Sequence, residues 1–293
     1  MSLKIEPLSP QLGARVTGVD LAKPLDGETF RRIHQAALDH LVVVFPGQEL
    51  SVEDQLRFTG LFGDIGARNR ATPLPEGDSV PPTVMLVSNI RVDGKPIGSL
   101  PDGEMMFHAD GAYTETPKKF TLLYAIDVPA TGGNTLFANL YAAYEALPDD
   151  LKRKLSGCHA EQVFYTGSVQ KDDPLGPLTG SWVHPVFIEH PDTGRTSFFV
   201  IRLMTTRIVE LAEDESNAIL DRLFDHEEKP EFIYEHAWTP GDLVMWDDRC
   251  TNHARTHFAK TERRQLRRTT VSGTALAAAR IKEAAAVEAH PGG

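Results

Sequence analysis

Apolar residues along the chain cluster mainly in short β-branched and aromatic runs bounded by turn residues, a pattern typical of strands. A strand-like run also follows the Pro/Gly-rich stretch near position 80, at Val84–Val87. The other predicted strands are Leu41–Phe45, Phe120–Ile126, Thr135–Phe137, Ser197–Ile201, Phe232–Trp238 and Leu243–Trp246. Because these runs do not alternate regularly with helical patterns, a parallel βαβ sheet is disfavoured, and a β-sandwich or jelly roll is favoured.

Helical patterns are fewer. Gly27–Asp39 carries apolar residues at helical spacing. Ser51 is a candidate N-cap with Asp54 three positions later, which is a weak capping box for a helix ending at Phe62. The remaining predicted helices are Leu140–Leu147, Asp149–Leu155 and Asp214–Phe224. The predicted fold class is therefore mainly β (α+β), a jelly roll with flanking helices. Residues 1–274 are predicted to form one domain, and the alanine-rich residues 275–293 a helix or a frayed tail.

Composition narrows the possible functions. The 293 residues carry 30 Lys+Arg and 41 Asp+Glu, a formal charge of −11, which disfavours nucleic-acid binding and binding to anionic membranes. Leu41–Phe45 is among the longest apolar runs, and it is too short to cross a bilayer. Two distant cysteines, Cys158 and Cys250, together with the absence of a signal-peptide pattern, predict reduced thiols in a cytoplasmic protein.

The candidate chemistry lies at His108-Ala109-Asp110 and, much later, His253. Two imidazoles and one carboxylate can occupy one face of an octahedral iron, as in the facial triad of non-heme Fe(II) oxygenases. On a strand, residues i and i+2 point to the same side, so both side chains can reach one ion. The triplet alone is weak, since His-x-Asp recurs at His190-Pro191-Asp192, where Pro, Asp and Gly predict a hairpin turn. From spacing alone, structural or surface histidines remain the alternative.

Two long segments are more specific. Phe107–Thr135 (FHADGAYTETPKKFTLLYAIDVPATGGNT) and Gly241–Thr270 (GDLVMWDDRCTNHARTHFAKTERRQLRRTT) resemble the taurine dioxygenase family, which includes 2,4-dichlorophenoxyacetate dioxygenase. The likeness extends to the N-terminal stretches LGARVTGVDLAKPL and LVVVFPGQEL, so it covers nearly the whole chain up to the alanine-rich tail. The resemblance implies a double-stranded β-helix, in agreement with the strand-rich pattern, and an Fe(II)- and 2-oxoglutarate-dependent dioxygenase that uses O2.

The resemblance also implies roles for single residues. His108, Asp110 and His253 match the iron ligands. Arg264 matches the arginine that binds the distal carboxylate of 2-oxoglutarate, and Thr135 matches the hydroxyl that donates to the same carboxylate. The arginine matching Arg268 contacts the acidic group of the primary substrate in relatives. From the residues alone, a second interpretation stays open, in which four arginines form a solvated basic face: Arg263, Arg264, Arg267 and Arg268.

The substrate is less defined. Taurine enzymes carry a His and a Tyr after the FG(E/D) element and an Asn ahead of the first iron ligand, and this chain lacks all three. We therefore expect a small organic anion other than taurine, a sulfonate or an aryloxy or alkyl carboxylate. Tyr113 and Phe199 are candidates to line the pocket, with ordinary core aromatics as the alternative. Lys95 and Arg202 are further candidate substrate contacts, with surface solvation as the alternative.

Two expectations concern the whole protein. Relatives lead us to expect a homo-oligomer, either a dimer or a tetramer. An alternative to an enzyme is a catalytically silent jelly-roll binding protein or a sensor of 2-oxoglutarate. The complete ligand and anchor set argues against this alternative.

Overall fold

Nineteen strands and five helices make up the described part of the computed structural model, which covers residues 2–68, 72–75, 77–99, 103–170 and 173–280. The strands are β1 Lys4–Pro7, β2 Ala14–Thr17, β3 Val42–Phe45, β4 Met85–Ser88, β5 Arg91–Val92, β6 Lys95–Pro96, β7 Met105–His108, β8 Phe120–Asp127, β9 Thr135–Asn139, β10 His159–Tyr165, β11 Leu178–Pro185, β12 Phe187–Glu189, β13 Thr196–Phe198, β14 Thr205–Ile208, β15 Ile233–His236, β16 Leu243–Asp247, β17 Thr251–Arg255, β18 Gln265–Val271 and β19 Ala277–Ala278. The helices are α1 Gly27–His40, α2 Val52–Gly60, α3 Leu140–Glu145, α4 Asp149–Leu155 and α5 Glu213–Glu227, with a 3₁₀ turn at Pro230–Phe232.

Two facing sheets form the centre of the molecule. The larger sheet has the strand order β1-β2-β3-β16-β8-β18-β4, and the smaller has the order β15-β9-β17-β7. Apolar side chains from both sheets meet in one core, where the rings of Phe137 and Trp246 lie 5.2 Å apart. All pairings in these two sheets are antiparallel except β2 with β3. This arrangement confirms the predicted mainly β jelly roll.

The strands alternate between two cores because successive side chains point to opposite faces of a sheet. On β16, Val244 and Trp246 face the smaller sheet, whereas Leu243 and Met245 face the helices α1 and α2. The other side of the smaller sheet packs against α3, α4 and α5 through a third apolar cluster. Helices therefore cover both outer faces, and the space between the sheets is left for the site.

Helix α2 is tied to the larger sheet at one buried point. Gln55 and Arg267 bind each other through Arg267 Nε and Gln55 Oε1 at 2.7 Å, and Arg267 Nη2 donates to the carbonyl of Leu50 at 2.7 Å. The predicted capping box is present, since the Asp54 amide donates to Ser51 Oγ and the Ser51 amide donates to Asp54 Oδ2. A local polar pattern in the sequence thus fixes the start of α2 correctly.

The C-terminal prediction needs a correction. Ala277–Ala278 form β19, which pairs with β12, and Ala279 packs against the core, so the domain continues past position 274. The helix or tail expected for 275–293 is wrong for this stretch, because the open edge of β12 offers backbone partners to an extended chain. Residues 281–293 lie outside the described residues. Within the described ranges, no helix is long and apolar enough to span a membrane.

Replacing the cap of α2 tests how this helix is held. We expect Ser51→Ala to lower the free energy of unfolding by about 1 kcal/mol, because the Asp54 amide loses its acceptor. Urea denaturation measures the change, and Ser79→Ala, at an exposed position, serves as the control with an unchanged midpoint. Equal stability of Ser51→Ala and the wild type would contradict the capping assignment.

Candidate functional site

Strand pairing brings the two distant histidines together. His108 ends β7 and His253 lies in the middle of β17, and the two are directly opposite each other in the antiparallel register. Their ring centroids are 3.9 Å apart, and the His253 ring packs 4.6 Å from that of Trp246. A register irregularity between His253 and Arg255 distorts β17 at this point. The sheet thus places both imidazoles at one spot in the space between the two sheets.

Asp110 completes the cluster from a position that differs from the expected one. Strand β7 ends at His108, and Asp110 lies in the turn that follows, where Gly111 has a φ of 74°. His108 and Asp110 therefore do not converge by sharing one face of a strand. Instead, the strand ends at His108, and the turn that follows brings Asp110 back beside it. Ligand atoms of His108, Asp110 and His253 nevertheless all lie within 4.8 Å of one another, and all three residues are buried.

The state of each group suits a divalent metal. The Nδ1 of His108 lies 3.0 Å from the carbonyl of Met106, which can only accept, so this contact places the proton on Nδ1 and leaves Nε2 for a metal. The buried Nδ1 of His253 has no hydrogen-bond partner in the described part of the chain. Burial lowers the pKa of both histidines, which favours the neutral, ligating form. Two neutral imidazoles and a carboxylate match the donor set of non-heme iron.

Asp110 is held as an anion. Arg268 Nη1 donates to its Oδ1 at 2.8 Å, and the hydroxyl of Thr121 lies 2.8 Å from its Oδ2. Burial opposes ionisation of Asp110, but the guanidinium of Arg268 outweighs it and holds the pKa of Asp110 well below its usual range. The carboxylate is therefore oriented and charged before any metal binds.

A second buried acid, Asp248, supports this ligand and was missed by the sequence reasoning. Its Oδ1 accepts from the Asp110 amide at 3.2 Å and from the Trp246 indole at 3.0 Å. The single hydroxyl of Thr121 lies 2.7 Å from Asp248 Oδ2 as well as 2.8 Å from Asp110 Oδ2, and one proton cannot serve both carboxyls. Burial and the nearby Asp110 raise the pKa of Asp248 well above its usual value, so Asp248 is the neutral member of this pair.

The strand that carries His253 is anchored from the opposite side. Asn252 Nδ2 donates to the carbonyl of Val200 at 3.0 Å and to Glu227 Oε2 at 3.1 Å. Glu227 is fully buried at the end of α5. Burial, reinforced by the charge of Glu228, raises the pKa of Glu227 well above its usual value. The helix end thus fixes β17 through a buried carboxyl next to the candidate ligand.

One cavity extends from the cluster to Arg264. Val87, Leu123 and Trp246 form apolar walls, and Thr135, Arg255 and Arg264 lie farther in. Arg264 is 3% exposed, and its Nε donates to the carbonyl of Gly133 at 3.2 Å. Among the described residues, no carboxylate pairs with it, and burial together with Arg255 lowers its pKa to about 9. Thr135 Oγ1 accepts from the Trp238 indole at 3.0 Å, which leaves the hydroxyl proton free to donate.

The four C-terminal arginines do not form a basic face. Arg263 pairs at the surface with Asp127, and Arg267 binds Gln55 beneath α2. Arg264 and Arg268 both line the cavity, on the side of β18 opposite to Arg267. The alternative of a solvated patch is therefore wrong for three of the four, because alternation along β18 sends neighbouring side chains to opposite faces of the sheet.

Of the other predicted substrate contacts, some line a cavity and others do not. Tyr113 lines a second cavity, which shares His108, Asp110 and Arg268 with the first, and its ring stacks on that of Phe164 at 5.1 Å. Phe199 lies in the core beneath, fully buried against His184. Lys95 is exposed in the β5–β6 hairpin, next to the Asp93-Gly94 turn, and does not line the cavities at the metal cluster. The prediction for Phe199 and Lys95 as lining residues is corrected accordingly.

Arg202 also needs a correction. Its guanidinium pairs with Glu228 at 2.6 Å and with Asp225 at 2.9 Å, both near the end of α5, and lies 5.1 Å from the ring of Phe224. Spacing could not show this, since the acidic partners are more than twenty positions away in the chain. By contrast, Lys118 and Arg255 line the cavity although no sequence signal singled them out.

A second group of potential ligands lies elsewhere in the core. His190, Asp247 and Cys250 are close together and buried. However, Asp247 already binds Arg249 at 2.6 Å and His190 at 3.0 Å, and burial raises the pKa of the Cys250 thiol. We therefore interpret this group as a structural ion-pair network. It fixes the hairpin turn at His190, which was correctly predicted as a turn.

Removing a ligand tests the metal centre. We expect His108→Ala, Asp110→Ala and His253→Ala each to weaken Mn(II) binding by about tenfold or more, since each removes one of three donors. Isothermal titration calorimetry measures the affinity. His159→Ala, which removes an exposed histidine paired with Glu210, is the control and should bind Mn(II) as the wild type does. Unchanged affinity in any of the three ligand variants would contradict the assignment.

The buried acid Glu227 predicts a pH dependence of stability. Its folded pKa is raised, so between the ordinary value of 4.5 and the folded value the native state holds a proton that the unfolded chain has lost. Its contribution to the free energy of unfolding therefore falls as pH rises through this window. We expect Glu227→Gln to show a smaller decline than the wild type between pH 5 and pH 8, measured by urea denaturation. Parallel pH curves for the two proteins would contradict the raised pKa.

Comparisons with known proteins agree with this geometry. The profile of the family described as "Taurine catabolism dioxygenase TauD, TfdA family" matches residues 4–270. Pentalenolactone F synthase of Streptomyces arenae is 36% identical over 87% of this chain and 90% of that protein. The alpha-ketoglutarate-dependent 2,4-dichlorophenoxyacetate dioxygenase of Cupriavidus pinatubonensis is 30% identical over 94% of this chain and 100% of that protein.

Solved structures show the same relationship. The crystal structure of a taurine dioxygenase from Burkholderia xenovorans superimposes with a TM-score of 0.80 at 28% identity, covering 97% of this chain and 96% of that one. Profile, sequence relatives and fold all coincide on nearly the full length of the described domain. The chain therefore belongs to the taurine catabolism dioxygenase TauD, TfdA family.

Proposed function

We propose that this chain is an Fe(II)- and 2-oxoglutarate-dependent dioxygenase that hydroxylates a small organic anion. The observation that carries the proposal is the buried guanidinium of Arg264, which has no carboxylate partner among the described residues, in the cavity that begins at the His108, Asp110 and His253 cluster. A buried charge left unpaired is costly, so the arrangement calls for an anionic ligand. The family membership supports the same activity.

We infer that a dicarboxylate binds with one end at the metal cluster and the other at Arg264, because both line the same cavity. A guanidinium presents a planar fork that binds a carboxylate in a bidentate manner. The hydroxyl of Thr135, whose oxygen is occupied by the Trp238 indole, has its proton available for the same carboxylate. Arg255 lines the same part of the cavity and adds positive potential. These residues would bind and orient 2-oxoglutarate without taking part in the oxidation.

His108, Asp110 and His253 would hold Fe(II), with Arg268 and Thr121 fixing the Asp110 carboxylate. Bound Fe(II) would supply the oxygen chemistry, which couples oxidative decarboxylation of 2-oxoglutarate to succinate with insertion of oxygen into a C–H bond of the substrate. The protein positions the reactants and keeps bulk water away from them. Val87, Leu123 and Trp246 provide the apolar walls for this purpose.

The proposed substrate is an organic anion because Arg268 faces the cavity beside the metal cluster. The relative that is named a 2,4-dichlorophenoxyacetate dioxygenase supports a carboxylate with an apolar body. Taurine is disfavoured, since the three residues expected for taurine recognition are missing from the sequence. A silent binding protein or a sensor would bind 2-oxoglutarate without forming succinate, so turnover separates these alternatives from the enzyme.

Replacing the anchor tests the proposed cosubstrate site. We expect Arg264→Met to weaken 2-oxoglutarate binding to the Mn(II)-loaded protein by roughly 10- to 100-fold, since a charge-assisted hydrogen-bond pair is lost. Calorimetry measures the affinity, and succinate formation with Fe(II) measures the accompanying loss of turnover. Arg263→Met is the matched control, because Arg263 is adjacent in the chain and pairs with Asp127 at the surface. Equal effects of the two substitutions would rule out a specific anchor.

A further inference from the structure

Lys118 reaches the cavity beside the metal cluster by a path that Gly66 keeps open. Its backbone amide binds the carbonyl of Asp110 at 3.1 Å, and its side chain passes over Gly111. The Nζ lies beside Gly66, where an added Cβ would come within 2.8 Å of both Lys118 Nζ and Thr270 Oγ1. A side chain at position 66 would therefore displace the ammonium. Glycine at position 66 thus leaves room for the ammonium.

No group in the described part of the chain pairs with the Lys118 ammonium, which is half-buried and lines the cavity together with Arg268. Burial lowers its pKa even though Asp110 acts in the opposite direction. Its neighbour Lys119 behaves differently, since Lys119 Nζ pairs with Asp192 Oδ2 at 3.3 Å. Adjacent lysines therefore have different surroundings, and the one that faces the site has no counter-ion among the residues that the structure describes.

The remaining wall of this cavity is apolar and adaptable. It is lined by Phe164, Tyr113 and three of the six methionines of the chain, Met85, Met105 and Met204. Thioethers are flexible and polarizable, and they make favourable contacts with aromatic rings as well as with alkyl chains. Cations thus lie at one side and an apolar surface at the other.

The charges around this cavity leave an excess that belongs to Lys118. Asp110 and Arg268 neutralise each other through their 2.8 Å contact. Lys118 therefore adds a positive charge that the described lining residues do not balance. A substrate anion bound here would receive hydrogen bonds from the ammonium and from the remaining donors of Arg268, and would restore neutrality.

We propose that Lys118 is a specificity-determining residue, which together with Arg268 binds the anionic head group of a substrate whose apolar body lies against the methionines and Phe164. This inference rests on the proposed function and refines it, since it assigns the choice of an anionic over a neutral substrate to a residue outside the metal and cosubstrate sites. Arg268 alone would be shared between the substrate and Asp110.

The test measures binding of three probes to protein loaded with Mn(II) and 2-oxoglutarate. The probes are 2,4-dichlorophenoxyacetate, hexyl sulfate and the neutral 2,4-dichlorophenoxyethanol, and calorimetry gives the affinities. We expect the wild type to bind at least one anion more tightly than the alcohol. Lys118→Met should weaken binding of that anion by about tenfold or more and leave binding of the alcohol unchanged, because one charge-assisted hydrogen bond is lost. Lys118→Arg should restore most of the affinity, and Lys119→Met should match the wild type.

The outcomes separate this proposal from the one on which it rests. Wild-type protein that fails to bind Mn(II) or 2-oxoglutarate overturns the proposed function and this inference together. Normal binding of both, with no preference for either anion over the alcohol, overturns this inference alone. The same holds if Lys118→Met leaves anion binding unchanged, or if Lys119→Met weakens it equally. Affinity for 2-oxoglutarate should stay the same in all Lys118 variants, which a general structural defect would not allow.

Discussion

The pairing of β17 with β7 is the constraint on which the rest of the site depends. It sets His253 opposite His108 although the two lie far apart in the chain, and β9 holds β17 from its other edge. Beneath them, Trp246 and Phe137 fill the space between the sheets and fix the plane of the His253 ring. A one-residue slip in an antiparallel register would turn His253 to the opposite face. The apolar packing of the two sheets therefore determines whether a metal site exists at all.

Around this fixed point the described residues place more positive charge than their acids neutralise. Within that part of the chain, Arg264 is buried without a carboxylate partner, Lys118 has no counter-ion, and Arg268 is shared with Asp110. Desolvating cations in this way is unfavourable for the empty protein. Bound anions would offset this cost. The two groups of cations lie on two sides of the same metal cluster. This distribution of charge therefore favours two anionic ligands, one at each side of the metal cluster.

The sequence predicted those features that local patterns determine. The capping box at Ser51 and Asp54, the turn at His190 and the β-branched strands each depend on neighbouring residues, and the structure confirms them. The triad could be predicted because its residues lie within two long segments, Phe107–Thr135 and Gly241–Thr270, that resemble one family in the same order. The features that failed depend on distant partners. Arg202 and Arg268 are both arginines next to strand-like residues, and only the placement of α5 and its acidic end decides that Arg202 binds there.

The same reasoning explains why Lys118 could not be distinguished from Lys119 beforehand. Consecutive residues in an extended segment point to opposite sides, so the pair implies that one lysine faces inward, but not which one. The choice is made by Gly66, about fifty positions earlier, which leaves room for one ammonium, and by Asp192, which pairs with the other. The residues that we propose to bind 2-oxoglutarate, Thr135 and Arg264, lie on β9 and next to β18, in the central sheets. The proposed substrate side is instead built where turns and loops meet those sheets, so its chemistry can change without altering the register that brings His108 and His253 together.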